Sequence, residues 1–259
     1  MKSRRPVRSI TSKWVKTIVL NQSPHLRAYV PATRLLSKSN LLSMLTNYKM
    51  VYVKPVSGSA GHGVMKVEML QTPKGKIYRY QQGTTPRHFT NYAALYHSIA
   101  KTKLKRSYLI QKGIPLLKYD QRPFDIRIMV QKNRKREWEA SGYIGRVAHP
   151  KKIVTNFHNS GKALALEVLL GRFLQGKRRR QCIAGLNLLG CRIGKHLNWN
   201  YPGFREIGVD VGLDRSLKPW IIEVNTAPDP FIFNQLKDKR MFRKVFHYAR
   251  LNGRFLRKK

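Results

Sequence analysis

The chain has 259 residues, 42% of them hydrophobic, and carries 52 lysines and arginines against 12 acids, a formal charge of +40. That length supports a sizeable core, and that apolar fraction excludes a disordered chain. So large a charge attracts polyanions, whether nucleic acid, an anionic polymer or an acidic protein surface. The acids are unevenly placed: none precedes Glu68, yet Glu206, Asp210, Asp214, Glu223 and Asp229 crowd one stretch. Cys182 and Cys191 lack a zinc-binding spacing and read as reduced thiols. No apolar run approaches the ~20 residues of a membrane span. The run Trp14–Leu20, interrupted by Lys16, is too short for a secretory signal, so residence in the cytoplasm follows by default.

In chain order, residues 1–12 read as a basic arm. Leu35, Leu36, Leu41, Leu42, Met44 and Leu45 predict a helix before a strand at Met50–Pro55. A Gly/Ser loop leads to a second strand at Val64–Val67, and residues 76–81 predict another. Asn91–Ala100 reads as a helix, Tyr108–Gln111 as a short strand, and Lys112–Phe124 as a loop. The alternation in Asp125–Gln131 predicts a strand with one buried face, returning at Trp138–Val147 after the turn Lys132–Lys135. Helices are expected at 161–175 and 181–197, joined by the basic knot Lys177–Arg180, and again between Asn234 and Leu256. Strands interleaved with helices and hairpins predict an α+β domain.

Four segments carry chemistry. The runs Ile207–Gly212 and Trp220–Asn225, separated by a turn, predict a hairpin. Side chains two apart on a strand share a face, so Asp210, Glu223 and Asn225 would converge as hard oxygen ligands suited to Mg²⁺. An ordinary hairpin with its polar groups in solvent fits the same pattern. Lys54–Val64 joins a lysine-bearing strand to a loop containing Ser57, Gly58, Ser59, Gly61, His62 and Gly63. Small residues there can bring backbone N–H groups to phosphate oxygens, with Lys54 as a point charge; a flexible hairpin loop is the plainer reading. Leu109–Ile114 can offer an adenine edge its backbone groups, or be a plain edge strand. Asp125 and Arg127 share a strand face, with Arg146 on the returning strand and Thr155–Asn156 beyond. They fit cross-strand ion pairs as well as phosphate chemistry.

Taken in order, these segments resemble the ATP-grasp superfamily, and more closely its YheC/YheD family from spore-forming bacteria; RimK-type glutamate ligases are more distant. The resemblance spans about Lys13 to Pro230 and rests on Val30–Thr33, Lys54–Val64, Phe124–Gln131, Ile153–Gly161 and Gly208–Pro228. It implies two α+β subdomains holding ATP between them, with a lid-like subdomain over roughly 45–115 inside a domain of 13–230, and a basic helix over 231–259. It assigns Lys13 and Lys54 to phosphates under the Ser57–Gly63 loop, and Gln111, Lys112 and Ile114 to the adenine hinge. Asp125 would reach the ribose or nucleotide, and Asn156 the phosphate side. Asp210, Glu223 and Asn225 would hold Mg²⁺. Arg127 and Arg146 would stabilise charge as ATP phosphorylates a carboxylate that an amine then attacks. ATP-grasp ligases usually begin with a further domain, and here little more than a dozen residues precede Lys13.

Two functions follow. One is a carboxylate–amine ligase with unnamed acceptors, linked to sporulation by the resemblance alone. The other is a basic, non-catalytic protein that keeps the fold and binds a polyanion, nucleic acid or an acidic spore component.

Overall fold

The computed structural model describes residues 9–73, 75–150, 152–153 and 162–255. The first helix, α1 (Lys13–Gln22), begins where Ser12 accepts a hydrogen bond from the Val15 amide at 3.2 Å. Such a side-chain cap is worth about 1 kcal/mol. The same device starts α2 (Lys38–Tyr48) at Ser37 and α3 (Tyr92–Thr102) at Asn91.

Strands β1 (Thr33–Leu35), β2 (Met50–Pro55), β3 (Met65–Thr72), β4 (Gly75–Gln82), β5 (Thr85–Phe89) and β6 (Tyr108–Lys112) form an antiparallel sheet in the order β1-β6-β2-β3-β4-β5. Strand alternation gives this sheet two characters. Val51, Val53, Met65, Val67 and Ile110 pack against Leu41, Met44 and Leu45 of α2 and Leu95 and Ile99 of α3. Tyr52, Lys54, Lys66 and Gln111 take the opposite face and line a cleft.

The second sheet contains β7 (Lys118–Tyr119), β8 (Arg122–Lys132), β9 (Trp138–Val147), β10 (Lys162–Leu164), β11 (Glu206–Leu213) and β12 (Pro219–Asn225). Its main path is β10-β9-β8-β11-β12, with β7 on β8. Ile126, Ile128, Ile207 and Val209 bury one face against α1, the short helix α4 (Leu166–Leu170) and the long α5 (Gly176–Asn200). Met129 and Ile144 pack on Phe233 and Val245, from the 3₁₀ turn Phe231–Gln235 and the last helix, α6 (Arg240–Leu251).

The α+β class read from the sequence holds, and several boundaries move. Leu35, expected in a helix, lies in β1, because Ser37 caps the helix two residues later. The helix expected over 161–175 is instead β10 followed by α4, since pairing with β9 takes Lys162–Leu164. The basic knot Lys177–Arg180 is the first turn of α5 rather than a linker. The tail helix occupies Arg240–Leu251, and β5 had no sequence signal of its own.

Close approach of α5 to the sheet depends on two residues without side chains. A Cβ on Gly190 would meet Val130 Cγ2 at 2.9 Å, and one on Gly194 would meet the Trp138 ring at 2.9 Å. Gly190→Val should therefore destabilise the fold by about 1–3 kcal/mol, the usual cost of overpacking. The urea midpoint checks this, and an unchanged midpoint would show that the helix lifts without penalty.

Candidate active site

A cleft of about 550 Å³ opens between the sheets, within the ~300–1,000 Å³ typical of small-molecule sites. Its walls include Lys13, Lys54, Gln111, Lys112, Asp125, Asp210 and Glu223, with apolar surface from Met50, Val64, Ile114, Leu116, Phe173 and Ile222. A side cavity of about 20 Å³ shares Lys13, Lys54, Gln111 and Glu223 with it, and adds Lys16 and Thr17.

The β11–β12 turn sets the acidic wall. Asp214 Oδ1 accepts from the amides of Ser216 and Lys218, both at 3.0 Å, and Oδ2 accepts from the Trp220 indole at 2.8 Å. Burial raises the Asp214 pKa, and these hydrogen bonds reverse the effect and bring it below the usual range. The fixed turn places Asp210 opposite Glu223 and Gly208 opposite Asn225.

Behind this wall lies a buried ion network. Asp210 pairs in register with Arg127, and Asp125 with Arg146. Arg127 Nε donates to Asp210 Oδ1, and Nη2 donates to Oδ2 at 3.1 Å. Arg146 Nε donates to Asp125 Oδ1 at 2.7 Å, and its Nη2 lies 3.0 Å from Asp210 Oδ2. All four residues are buried. Burial pushes the Asp210 pKa up, but Arg127 and Arg146 outweigh it and hold the group at about 2. Asp125 and Arg146 do form the cross-strand ion pair that the sequence allowed, and neither arginine lines the cleft.

The cationic wall is built from α1 and β2. Lys54 Nζ donates to Gln111 Oε1 at 2.6 Å, joining β2 to β6. Burial lowers the Lys54 pKa to about 8; Glu223, Asp210 and Asp125 oppose the shift, while Lys13 adds to it. Lys13 Nζ donates to the Gly58 carbonyl at 2.6 Å and lies 3.3 Å from Glu223 Oε1. The Gly/Ser loop is held at its start, where Arg106 donates to the Ser57 carbonyl and the Val56 amide donates to the Ser107 carbonyl. Gly63 sits at φ +74°, and a Cβ there would meet the Tyr108 hydroxyl at 2.6 Å. Lys112 Nζ lies 5.0 Å from the Trp220 ring centroid and 5.2 Å from that of Tyr48, a cation–π bridge between the sheets.

Of the residues singled out in the sequence, Lys13, Lys54, Gly58, Ser59, Gly61, Gln111, Lys112, Ile114, Asp125, Asp210 and Glu223 line the cleft. Ser57, Gly63 and Asn225 stand just outside its lining, and Asn156 lies outside the described residues. Sequence reasoning missed Lys16, Lys66, Gln121 and Arg215. Lys16 had left a signal, as the one charge breaking the apolar run Trp14–Leu20.

No group of three or more His, Cys, Asp or Glu residues assembles among the described residues, so they form no all-protein cage for a metal. Asp210 and Glu223 on the cleft wall, with Asn225 beside them, fit Mg²⁺ in another mode, a few protein oxygens completed by substrate phosphates. Each carboxylate is now answered by a protein cation, Glu223 by Lys13 and Asp210 by the arginines. Around the floor, Lys13, Lys16, Lys54, Arg127 and Arg146 outnumber Asp125, Asp210 and Glu223, an excess suited to an anionic ligand.

The two-sheet architecture recurs in the C-terminal domain of K. lactis Pby1, described as an ATP-grasp enzyme interacting with the mRNA decapping enzyme Dcp2. The TM-score is 0.55 at 14% identity, covering 94% of this chain and 72% of that one. The class is thus an ATP-grasp fold, whose namesake ligand is ATP. Within it, the model for YheC/D-like ATP-grasp proteins matches residues 7–252, and the chain belongs to that family. The Bacillus subtilis (strain 168) endospore coat-associated protein YheD is 26% identical over 247 residues, 92% of this chain and 53% of YheD. YheC of the same strain is 23% identical over 222 residues, 85% of this chain and 61% of YheC. The chain therefore spans about half to three-fifths of these relatives.

Asp210→Asn should cost about 3–5 kcal/mol, because it leaves buried guanidinium uncompensated. The sign with pH follows from the lowered pKa. The Asp210 contribution is complete above its ordinary value of 3.8 and is lost as pH falls toward about 2. Urea unfolding of the variant at pH 7 checks the first statement. A loss under 1 kcal/mol would show that Asp125 alone satisfies both arginines.

Proposed function

We propose that this protein binds ATP with Mg²⁺ in the cleft, phosphorylates a carboxylate and couples it to an amine. The observation that carries this reading is the meeting of Lys13 and Lys54 with Asp210 and Glu223 on one cleft that also offers apolar surface.

The roles follow from the positions. Lys13 and Lys54 take the β- and γ-phosphates, under backbone from Gly58, Ser59 and Gly61. Gln111, Lys112 and Ile114 bound the base side, and Asp125 faces the ribose. Asp210, Glu223 and Asn225 hold Mg²⁺, which when bound neutralises phosphate charge during transfer. Arg127 and Arg146 fix the carboxylates rather than meeting substrate. A carboxylate oxygen attacks the γ-phosphorus, the bond to the β–γ bridging oxygen breaks, and ADP departs with that electron pair. Lys13 and Lys54 stabilise charge on the transferring group. An amine then attacks the acyl carbon, phosphate leaves, and the amine proton passes to water. The relatives' names tie those proteins to the endospore coat, and coat precursors are the setting we assign.

A second reading is favoured by one observation. Lys177, Arg178 and Arg180 on α5, and Arg243 and Arg250 on α6, are exposed, and such cations can hold a polyanion. Polyanion binding releases counterions and weakens steeply with salt.

MgATP should raise the melting midpoint, since a ligand that binds the folded state stabilises it. Glu223→Ala should abolish that rise while the free protein still folds. A full rise in the variant would refute the metal role. Phosphates restore positive charge to Lys54, so MgATP binding at pH 8.5 should take up protons, and affinity should fall as pH rises through about 8. Calorimetry in two buffers of different ionisation enthalpy measures the uptake. Raising salt from 50 to 200 mM should cost nucleic-acid affinity roughly 10³-fold or more if about six phosphates are contacted, and MgATP affinity far less. Equal losses would place both ligands on the general basic surface.

A further inference from the structure

We propose that Lys16, with Lys13 and Thr17 on the same face of α1, forms an anion subsite beside the nucleotide that receives the acceptor's carboxylate and the acyl phosphate it becomes. This rests on reading the cleft as an ATP site.

Lys16 is only 5% exposed and forms no ion pair among the described residues. Its ammonium is not sealed in the core, where Asn187 Oδ1 is the unpartnered buried atom, but belongs to a residue that lines the side cavity. A buried charge is normally paired, because desolvation is otherwise uncompensated. Glu223 and Asp210 are the carboxylates whose fields reach it. Asp210 is held by two arginines, and Glu223 already has Lys13 at 3.3 Å. A metal on Glu223 would take away even that distant compensation. The loaded site therefore calls for an external anion next to Lys16.

Space defines which anion. The polar part of the side cavity's lining is Lys13, Lys16, Thr17, Lys54, Gln111 and Glu223, the other half is aliphatic, and at about 20 Å³ the cavity admits roughly one small functional group. A whole metabolite does not fit. A carboxylate head does, with the rest of its molecule lying in the larger cleft through the shared residues Lys13, Lys54, Gln111 and Glu223. The acceptor is thus a molecule that inserts a carboxylate into the side cavity and keeps its remainder in the larger cleft. Three ammonium groups around the cavity would hold the carboxylate as its oxygen bonds to the γ-phosphorus and ADP leaves. They would then hold the acyl phosphate until an amine displaces phosphate from it.

The probe is acetyl phosphate, the smallest acyl phosphate, titrated against protein saturated with MgADP and read by thermal shift. Wild type should show a saturable rise beyond MgADP alone. Lys16→Met should weaken that response at least tenfold, keep MgATP affinity within twofold, and melt no lower than wild type when free. Lys16→Arg should keep the response. Three results would overturn the subsite: an unchanged response in Lys16→Met, no response in a wild type that still binds MgATP, or a free Lys16→Met protein that melts lower and loses both ligands. Absence of any MgATP shift in wild type would instead remove the nucleotide reading, and the subsite with it.

Discussion

Four buried charges on three neighbouring strands set the geometry of the cleft. Arg127 and Asp125 project from β8, Arg146 from β9 and Asp210 from β11, and they satisfy one another across the sheet. Two guanidinium forks against two carboxylates tolerate little misplacement, because any loss of contact strands a charge in a low-dielectric interior. Register in β8, β9 and β11 is fixed by this as much as by the apolar face beneath. Glu223 inherits its position from that register, since it stands opposite Asp210.

The two sheets contribute different chemistry. The second brings Asp125, Asp210 and Glu223 to the cleft, with Lys118 of β7 and Arg215 of the β11–β12 turn. The first sheet and α1 present ammonium groups from Lys54, Lys66, Lys13 and Lys16. Among the described residues, side chains that join the two sides include Lys13 of α1, which donates to the Gly58 carbonyl after β2, Lys112 between Tyr48 and Trp220, and Tyr52, which donates to the Ile153 carbonyl.

Much of this was legible in the sequence for a physical reason. The strands bearing the site residues alternate or run continuously apolar between clear turns, so β2, β6, β8, β9, β11 and β12 were each recognisable. The Asp214 turn, with polar groups and a proline, announced the hairpin that aligns Asp210 with Glu223. What escaped depended on partners distant in sequence. Whether Leu35 joins a helix is decided by β6, and whether Lys162–Leu164 forms a strand is decided by β9. Arg127 and Arg146 could be assigned to substrate or to carboxylates on motif order alone; the cross-strand register sets them against Asp210 and Asp125. Lys16 was visible as an anomaly in an apolar helix, but its place on the cavity beside α1 depends on β2, β6 and β12.

The charge of +40 and the charges inside the cleft act over different ranges. At physiological salt, fields from exposed lysines and arginines fade over about 8 Å, so the surface gathers anions without choosing among them. Lys16 and Lys54 are removed from water and are screened far less, and burial has already brought both down to about 8. Each remains protonated near neutrality but gains most from an anion that enters the cleft and shares its desolvation. On the proposed reading, selectivity for a compact phosphate, or for an inserted carboxylate, would arise from where these two lysines are buried, and the remaining positive charge would raise the rate at which such ligands arrive.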